Sequence, residues 1–363
     1  MGLEFWTLAI AAVTATTCAL CGTLLLIGRK CMVSEGLSHA VLPGLVLAFA
    51  FTRDYNSPWL ILAAAASGMI MVWLTDLIQR SGVVDDDAGL GIVYAGMFSL
   101  GIIIVSTSLR STHFHPDCIV DGNLVLAPLD RWKVGELDLG PKSFVVMSAV
   151  LLVVLAFITL AFKELKLGVF DPVLAGKFGL RPGLLQSLWL MIVSITTVAA
   201  FNVAGSILIV SLMIAPPAAA YLLTDRLGWM LVVSAVIAIA SAFGGYYLST
   251  VLDISPTGPI SSFAGLLFLC VFAAAPKRGL LAKWMLQKRG RRQTHELLVL
   301  AAVQHGGVEN TDQLAIPQRC ISRSIGQLER SGLIYAIQEK KGRTDFAVTE
   351  DGRLRLEQMF QDE

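Results

Sequence analysis

A glutamate and a histidine, four residues apart, interrupt the apolar stretch SEGLSHAVLPGLVLAF at residues 34–49. If this stretch is helical, Glu35 and His39 share one face, with their Cβ atoms about 5–6 Å apart. A carboxylate and an imidazole together suit a divalent transition metal such as zinc, manganese or iron. Pro43 has no N–H to donate, which frees the carbonyl of His39 and adds a polar group nearby. The stretch therefore predicts metal handling, with further ligands from a second chain or another helix.

The same residues also fit a purely structural interpretation. Ser34 is a candidate N-cap, and Glu35 in the first turn complements the helix dipole. His39 is then a polar residue packed against a neighbouring helix. An adjacent stripe of small residues suits close helix contact in a membrane: Gly36, Ala40 and Gly44. Residue types alone leave both interpretations open.

A second set of candidate metal ligands lies in STHFHPDCIVDGN, residues 111–123. His113, His115 and Asp117 are suited to capture a metal ion from outside, and Cys118 stands beside them. Their spacing matches no standard zinc set, and exposed loops often carry such residues without a metal. The sequence has no G-x-x-x-x-G-K-[ST] loop, no H-E-x-x-H motif and no nucleophile elbow. We therefore expect no ATP hydrolysis by the P-loop route and no enzyme activity.

The composition indicates that most of the chain lies in a membrane. The 363 residues are 55% hydrophobic and 15% charged, whereas a soluble domain has about 25% charged residues. A membrane helix needs about 20 apolar residues. We expect nine spans, at 5–27, 36–51, 59–79, 88–109, 143–162, 185–200, 204–223, 229–250 and 260–275. Eight also fit, because 185–223 is nearly continuous and 36–51 is short.

Basic residues set the predicted orientation, because cytoplasmic loops are enriched in lysine and arginine. They cluster after the first span, between the fifth and sixth spans, and after the last: Arg29, Lys30, Lys163, Lys166, Lys177, Arg181 and seven between 277 and 292. The loop at 110–142 mixes basic with acidic residues and fits outside. The amino terminus is therefore predicted outside and the carboxyl terminus inside.

Two further stretches break the apolar pattern. Pro216 and Pro217 predict a kink in mid-membrane, which either lines a pore or bends a packing helix. In FDPVLAGKFGLRP, residues 170–182, Asp171 is a candidate N-cap, Pro172 fits the first turn and Gly179 ends a short helix. Such a helix in a cytoplasmic loop suggests docking to a partner, with plain loop structure as the alternative.

The tail is predicted to be a separate soluble unit. Three helical segments, THELLVLAAVQHGG, NTDQLA and IPQRCISRSIGQLERSG, precede LIYAIQEKKGRTDFAVT, which alternates like two strands around Lys341 and Gly342. This order is typical of a winged helix-turn-helix. The predicted fold is an all-α polytopic membrane unit of eight or nine spans at 1–276, a basic linker at 277–293, and a small α+β winged helix at 294–363.

SEGLSHAVLPG resembles the S-D-A-L-S-H-A-V-L-P-G signature of the metal-type ABC transporter permeases, which import zinc, manganese or iron. Further stretches resemble the same family, in order, through about residue 275: DDAGLGIVYAGMFSLGI, PDCIVDGNLVLAP, FDPVLAGKFGL, AGSILIVSLMIAPPAAAYLLTDRL and LDISPTGP. This resemblance implies a multi-pass protein of the bacterial cytoplasmic (inner) membrane, with no permanently bound cofactor and a transported manganese, zinc or iron ion.

The resemblance also implies partners and roles for particular residues. It implies a second permease subunit, identical or related, a cytoplasmic dimer of ATPase chains that hydrolyses ATP, and an extracytoplasmic metal-binding protein. Glu35 and His39 correspond to residues that line the metal pathway, although the family usually has aspartate at the position of Glu35. The residues that correspond to the helix coupled to the ATPase are Phe170, Asp171, Pro172, Ala175 and Gly179.

The tail resembles the amino-terminal winged-helix domains of iron- and manganese-dependent repressors, including the exit VTEDGRLRL. If it binds DNA, the residues expected at the interface are Gln318, Arg319, Ser322 and Arg323 on the recognition helix, and Lys340, Lys341 and Arg343 on the wing. Residues 291–363 carry 10 Lys and Arg against 11 Asp and Glu, whereas DNA-binding domains usually show a basic surface. A regulatory or protein-interaction role is therefore favoured.

Two other functions compete with a metal-ion permease. One is a membrane-tethered metal sensor with the winged helix as a DNA-binding output. The other is a permease for organic metal chelates, although a chelate needs no protein ligands for its metal.

Overall fold

The computed structural model describes residues 3–53, 58–108, 124–134, 137–180, 182–276, 279–306, 318–340 and 343–354. The chain divides into two compact units, Met1–Ala275 and Pro276–Glu363.

The first unit consists mainly of long apolar helices. They are α1 (Leu3–Ile27), α2 (Met32–Thr52), α3 (Pro58–Arg80), α4 (Asp86–Ser108), α5 (Lys142–Leu160), α6 (Phe162–Phe170), α7 (Pro172–Lys177), α8 (Pro182–Leu223), α9 (Leu227–Leu252) and α10 (Thr257–Ala274). Strands β1 (Arg131–Val134) and β2 (Leu137–Pro141) form an antiparallel pair before α5. The described residues contain nine segments long and apolar enough to cross a membrane, which confirms the predicted number.

Helix α8 folds back on itself at Gly205, where φ is 70° and ψ is 167°. The hydroxyl of Thr196 lies 3.6 Å from the Cys21 thiol, and the backbone of Met213 lies against the adjacent Gly22. A straight helix would separate residues 196 and 213 by about 25 Å. The two arms therefore reach the same level of α1, and α8 supplies two of the nine spans. Glycine is needed at the corner because other residues rarely adopt this backbone conformation.

The break at Gly205 changes the interpretation of the two prolines. Pro216 and Pro217 lie inside the second arm of α8, and the backbone keeps helical angles at both positions. The sharp change of direction lies at the glycine that precedes them in the chain. The kink expected at the proline pair is a separate feature from this reversal, and it stays a prediction.

The amino-terminal end of α1 meets the β1–β2 pair. The Trp6 ring packs edge to face on Phe144, with ring centroids 5.4 Å apart, and it lies against Gly140. The described part of the loop between α4 and α5 is therefore on the same side of the unit as the start of α1. The charge pattern predicted this placement.

Small residues allow the helices of the first unit to approach closely. Gly22 lies against the backbone of Met213, and Gly245 lies against the backbone of Ile260. Gly44 faces the carbonyl of Ala63. In lipid, helices associate through such close packing, because the apolar solvent offers no hydrophobic gain. Cys18 and Cys21 are fully buried in the same core.

Among the residues described between 279 and 354, the second unit contains two long helices and a strand pair, besides a helical turn at 350–354. They are α11 (Leu280–Gly306), α12 (Gln318–Arg330), β3 (Ile334–Lys340) and β4 (Arg343–Val348). The strands are antiparallel, with Ile334 opposite Val348 and Lys340 opposite Arg343. Residues of both helices and of the segment leading into β3 share one core: Val299, Leu300, Val303, Ile321, Leu328, Leu333 and Ile334.

The strand pair confirms the predicted alternation on either side of Lys341 and Gly342, which themselves lie outside the described residues, as does NTDQLA. Helix α11 begins at Leu280. Residues 280–293, predicted as part of a linker, therefore belong to the same helix as residues 294–306.

The glycine contacts predict a difference between two Gly→Ala substitutions. A Cβ at Gly44 would collide with the Ala63 carbonyl, whereas a Cβ at Gly96 would meet nothing within 4 Å. We expect Gly44→Ala to destabilise the unit by about 1–3 kcal/mol, as other overpacked cores are destabilised. Gly96→Ala is the matched control and should leave stability unchanged or slightly raised. Thermal unfolding of the detergent-purified chain measures both, and equal midpoints would contradict the packing assigned to Gly44.

Candidate metal-pathway site

Helix α2 carries the glutamate and the histidine through its first two turns. It begins at Met32, with Cys31 at the N-cap and no side-chain cap. Ser34 lies inside the helix, and its buried hydroxyl has no hydrogen-bond partner among the described residues. The interpretation of Ser34 as the N-cap is therefore wrong, although Glu35 does lie in the first turn.

Glu35 and His39 lie at the edge of the packed unit. Both are half-buried, whereas the neighbouring stripe of Gly36, Ala40 and Gly44 is buried. Gly36 faces the side chains of α3 and α4, so the small residues provide the packing surface. The two polar residues are thus one helical turn apart, beside the packed face and partly open.

Two aromatic rings from α4 contact the His39 imidazole. Tyr94 stacks on it, with ring centroids 5.7 Å apart and an interplanar angle of 25°. Phe98, one helical turn later, lies 5.3 Å away at 76°. The imidazole is therefore held against α4 while its helix packs against α3.

Residues of α3 and α4 enclose the helix at Pro43. The Ser67 hydroxyl donates a hydrogen bond to the carbonyl of Ala40. Gly101 lies against Leu42 and against the nitrogen of Pro43. Pro43 leaves the carbonyl of His39 without its usual helical donor. Broken backbone of this kind is tolerated in a membrane where protein or a polar cavity receives it.

Cys31 stands one helical turn before Glu35, just outside α2, and is half-buried. Burial raises the pKa of its thiol above the ordinary value. The thiol is therefore protonated at neutral pH, and a metal ion would have to displace that proton.

The pair alone does not make a complete metal site. Among the described residues, no group of three or more His, Cys, Asp or Glu side chains is placed to hold a metal ion. Metal binding by Glu35 and His39 therefore stays a prediction, and it requires further groups to complete the coordination. The predicted outer set, His113, His115 and Asp117, lies outside the described residues.

The predicted short helix after the fifth span is α7. The Asp171 carboxylate accepts a hydrogen bond of 2.9 Å from the Leu174 N–H, and Pro172 follows in the first turn. Gly179 has a φ of 78°, which suits a helix end. The capped-helix prediction is thus confirmed.

Around this cap, large apolar side chains are exposed four residues apart: Phe170 (60%), Leu174 (39%) and Phe178 (73%). Ala175, within α7, is buried. The segment 170–179 therefore presents an apolar surface on a locally rigid support.

The candidate DNA-binding residues fall on two elements of the second unit. Helix α12 begins at Gln318 and Arg319, and the side chains of Ser322 and Arg323 are exposed. Lys340 ends β3 and Arg343 begins β4, while Lys341 lies outside the described residues. These positions fit the predicted helix and hairpin.

Comparison with known proteins assigns the first unit. The family model described as "ABC 3 transport family" matches residues 3–275, which is nearly all of the first unit. The chain belongs to the ABC 3 transport family.

Relatives within this family carry different metals in their names. The manganese transport system membrane protein MntD of Bacillus subtilis is 34% identical over 78% of this chain and 96% of its own length. The chelated iron transport system membrane protein YfeC of Yersinia pestis is 32% identical over 75% of this chain and 86% of its own length. Sequence similarity therefore extends across relatives named for different ions.

One relative is also similar in the tail. The zinc transport system membrane protein TroD of Treponema pallidum is 35% identical over 90% of this chain and 91% of its own length. The second unit makes up about a quarter of the chain. The part of the chain that TroD does not match is only about a tenth, which is smaller than that unit. The similarity must therefore extend into the second unit.

A solved structure has the same membrane fold. PsaBC from Streptococcus pneumoniae in complex with Fab is similar, with a TM-score of 0.63 and 24% identity, over 75% of this chain and 91% of that chain. A second structure, an inward-facing conformation of a putative metal-chelate type ABC transporter, has a TM-score of 0.55 and 14% identity, over 73% and 84% of the two chains. At these identities the likeness shows the fold.

Sequence reasoning missed the two aromatic residues beside His39. The signal was present in YAGMF, because Tyr94 and Phe98 are four residues apart and share a helix face. Nothing in the sequence indicates that this helix face contacts His39, because α2 and α4 are separated along the chain by α3.

Proposed function

We propose that this ABC 3 family chain is the membrane permease subunit of an ATP-binding-cassette importer that moves a divalent transition metal ion into the cytoplasm. The observation that carries the proposal is the half-buried pair of Glu35 and His39 on α2, beside the carbonyl that Pro43 frees. A carboxylate, an imidazole and a backbone carbonyl are all competent metal ligands. Relatives named for manganese, zinc and chelated iron support this class of substrate.

The same pair favours a bare ion over an organic chelate. A chelate supplies its own ligands, so a carboxylate and an imidazole in the pathway would add nothing to its binding. Manganese, zinc and ferrous iron all accept these ligand types, and selectivity among them follows geometry and availability. The proposed substrate is therefore the class of ions rather than one member.

A second permease subunit, identical or related, is proposed to complete the pathway. Glu35 and His39 lie at the edge of the unit, and α4 beside them exposes small side chains, among them Ala95, Gly96 and Ser99. Small exposed residues suit the close approach of another membrane helix. A metal-binding protein is proposed to deliver the ion on the side of the β1–β2 pair.

Two ATPase chains are proposed to dock on the segment 170–179. Leu174 is exposed on the capped helix α7, and Phe170 and Phe178 are exposed on either side of it. Clustered apolar anchors of this kind dominate interface energies. This is the helix that the family resemblance assigns to coupling.

The second unit is proposed to be a cytoplasmic winged-helix domain at 294–363 with a regulatory or protein-interaction role. The basic linker proposed at 277–293 is helical from Leu280 onward and continues into the domain. Two helices followed by an antiparallel strand pair support the winged-helix assignment. The near balance of charges between 291 and 363 supports a partner other than DNA. A DNA-binding sensor is the competing function, and the exposed Arg323 favours it.

Removal of either proposed ligand should abolish transport. We expect Glu35→Ala and His39→Ala to lower metal uptake by at least about tenfold, because loss of even outer groups around a metal site costs that much. Glu35→Asp keeps the carboxylate and should retain uptake, and Thr159→Ala, an exposed residue of α5, is the control. Uptake of labelled manganese, zinc and iron into proteoliposomes with the full complex measures this. Unchanged uptake in both alanine variants would falsify the site assignment.

Loss of an exposed aromatic on the segment 170–179 should uncouple the ATPase. We expect Phe178→Ala to weaken ATPase binding by about tenfold or more, since buried aromatic anchors contribute 2 kcal/mol or more to an interface. Phe51→Ala is the matched control, because Phe51 is 87% exposed on α2. Co-purification and metal-stimulated ATP hydrolysis report the effect. Equal losses of ATPase binding in Phe178→Ala and Phe51→Ala would exclude a specific docking surface on the segment 170–179.

Deletion of residues 277–363 should separate transport from regulation. We expect the truncated complex to import metal at the rate of the full complex but to lose any response of that rate to cytoplasmic metal. The full chain in nanodiscs should not shift a promoter fragment at physiological salt. A specific shift that Arg323→Ala abolishes would instead establish the DNA-binding alternative.

A further inference from the structure

We propose that Tyr94 and Phe98 are positioning residues for His39, which fix the plane of its imidazole so that a metal ion meets a preset ligand. The inference rests on the proposed function, because it assigns a role within the same site. Neither aromatic residue supplies a metal ligand in this proposal.

The ring contacts restrict the imidazole in two directions. Tyr94 stacks at 25° on the ring with centroids 5.7 Å apart, and Phe98 approaches at 76° with centroids 5.3 Å apart. Stacked and edge-to-face arrangements at such distances are the favoured aromatic geometries. The torsion that turns an imidazole is otherwise broad, so the two contacts together select one orientation. The lone pair of the unprotonated ring nitrogen lies in the ring plane, and stacking on a face leaves it free to bind a metal ion.

The backbone holds the aromatic pair at the level of the histidine. The Tyr94 ring lies beside Gly36, where an added Cβ would be 3.6 Å from the ring. Two turns further on, an added Cβ on Gly101 would be 3.1 Å from the nitrogen of Pro43. In both contacts the residue of α4 follows its partner in α2 by the same number of positions along the chain. Helices α2 and α4 therefore run parallel and in register. His39 lies between these two levels.

Metal-binding histidines usually have an outer group that sets the orientation of the ring. That group is commonly a hydrogen-bond acceptor, and here two aromatic rings from one helix take its place. If the rings of Tyr94 and Phe98 act by contact alone, neither residue supplies an oxygen ligand to the metal ion. Loss of either ring should therefore weaken the binding of different ions by similar factors, whereas loss of the phenol oxygen should change little.

The test uses the permease in complex with its ATPase, in nanodiscs, with Tyr94→Phe, Tyr94→Leu, Phe98→Leu and His39→Ala. Equilibrium dialysis with Mn(II), and separately with Zn(II), measures the binding that His39→Ala removes. We expect Tyr94→Phe to stay within about twofold of the native affinity, and both leucine variants to bind about tenfold more weakly. Tyr247→Leu is the matched control, because Tyr247 is 72% exposed on α9, and it should bind as the native complex does.

Three results would overturn the inference. Leucine variants that bind as tightly as the native complex, while His39→Ala does not bind, reject the positioning role and leave the proposed function intact. A Tyr94→Phe variant as weak as Tyr94→Leu shows that the phenol oxygen acts as a ligand. If His39→Ala binds the metal ion as tightly as the native complex does, both the proposed site and this inference are rejected. If Tyr94→Leu also loses basal ATP hydrolysis, Phe98→Leu decides, because Phe98 is 37% exposed.

Discussion

The close contact of α2 with α3 and α4 is the constraint on which the proposed site depends. Lipid gives no hydrophobic gain for bringing helices together, so these helices rely on packing and on hydrogen bonds between them. Gly44 admits the backbone of α3, Gly101 admits the backbone of α2 at Pro43, and Ser67 donates to the carbonyl of Ala40. Helix α2, which Pro43 interrupts, is thereby held by α3 on one side and by α4 on the other. These contacts fix the position of Glu35 and His39 on α2.

The parts of the fold that obey local rules could be predicted from the sequence. Apolar length located the nine spans, helical spacing placed Glu35 and His39 on one face, and the order of Asp171, Pro172 and Gly179 located a short capped helix. Contacts between distant segments could not be predicted in this way. The reversal at Gly205 depends on how both arms of α8 meet α1, and a lone glycine in an apolar run carries no signal of that. The pairing of His39 with Tyr94 and Phe98 was hidden for the same reason.

The tail follows the same division between local and distant information. Alternation of side chains predicted the strand pair, which the observed register from Ile334 to Lys340 bears out. Composition predicted a linker before the tail because basic residues cluster there, yet the backbone continues α11 from Leu280 through Gly306. Lysine and arginine are good helix formers, so a charge cluster alone does not mark the end of a helix. The similarity to TroD beyond the first unit makes the tail a feature that at least one relative shares.

Glutamate at position 35, where the family resemblance leads us to expect aspartate, bears on how the proposed site works. Glu35 reaches further by one methylene and has an additional rotatable bond, so its carboxylate has more freedom than that of aspartate. His39 has little freedom, because two rings of α4 contact it. In the proposed site the adjustable group is therefore the carboxylate, and the fixed one is the imidazole. Since the three candidate ions accept the same ligand types and differ in preferred geometry, the reach of Glu35 against a fixed His39 is where a preference among them would be set.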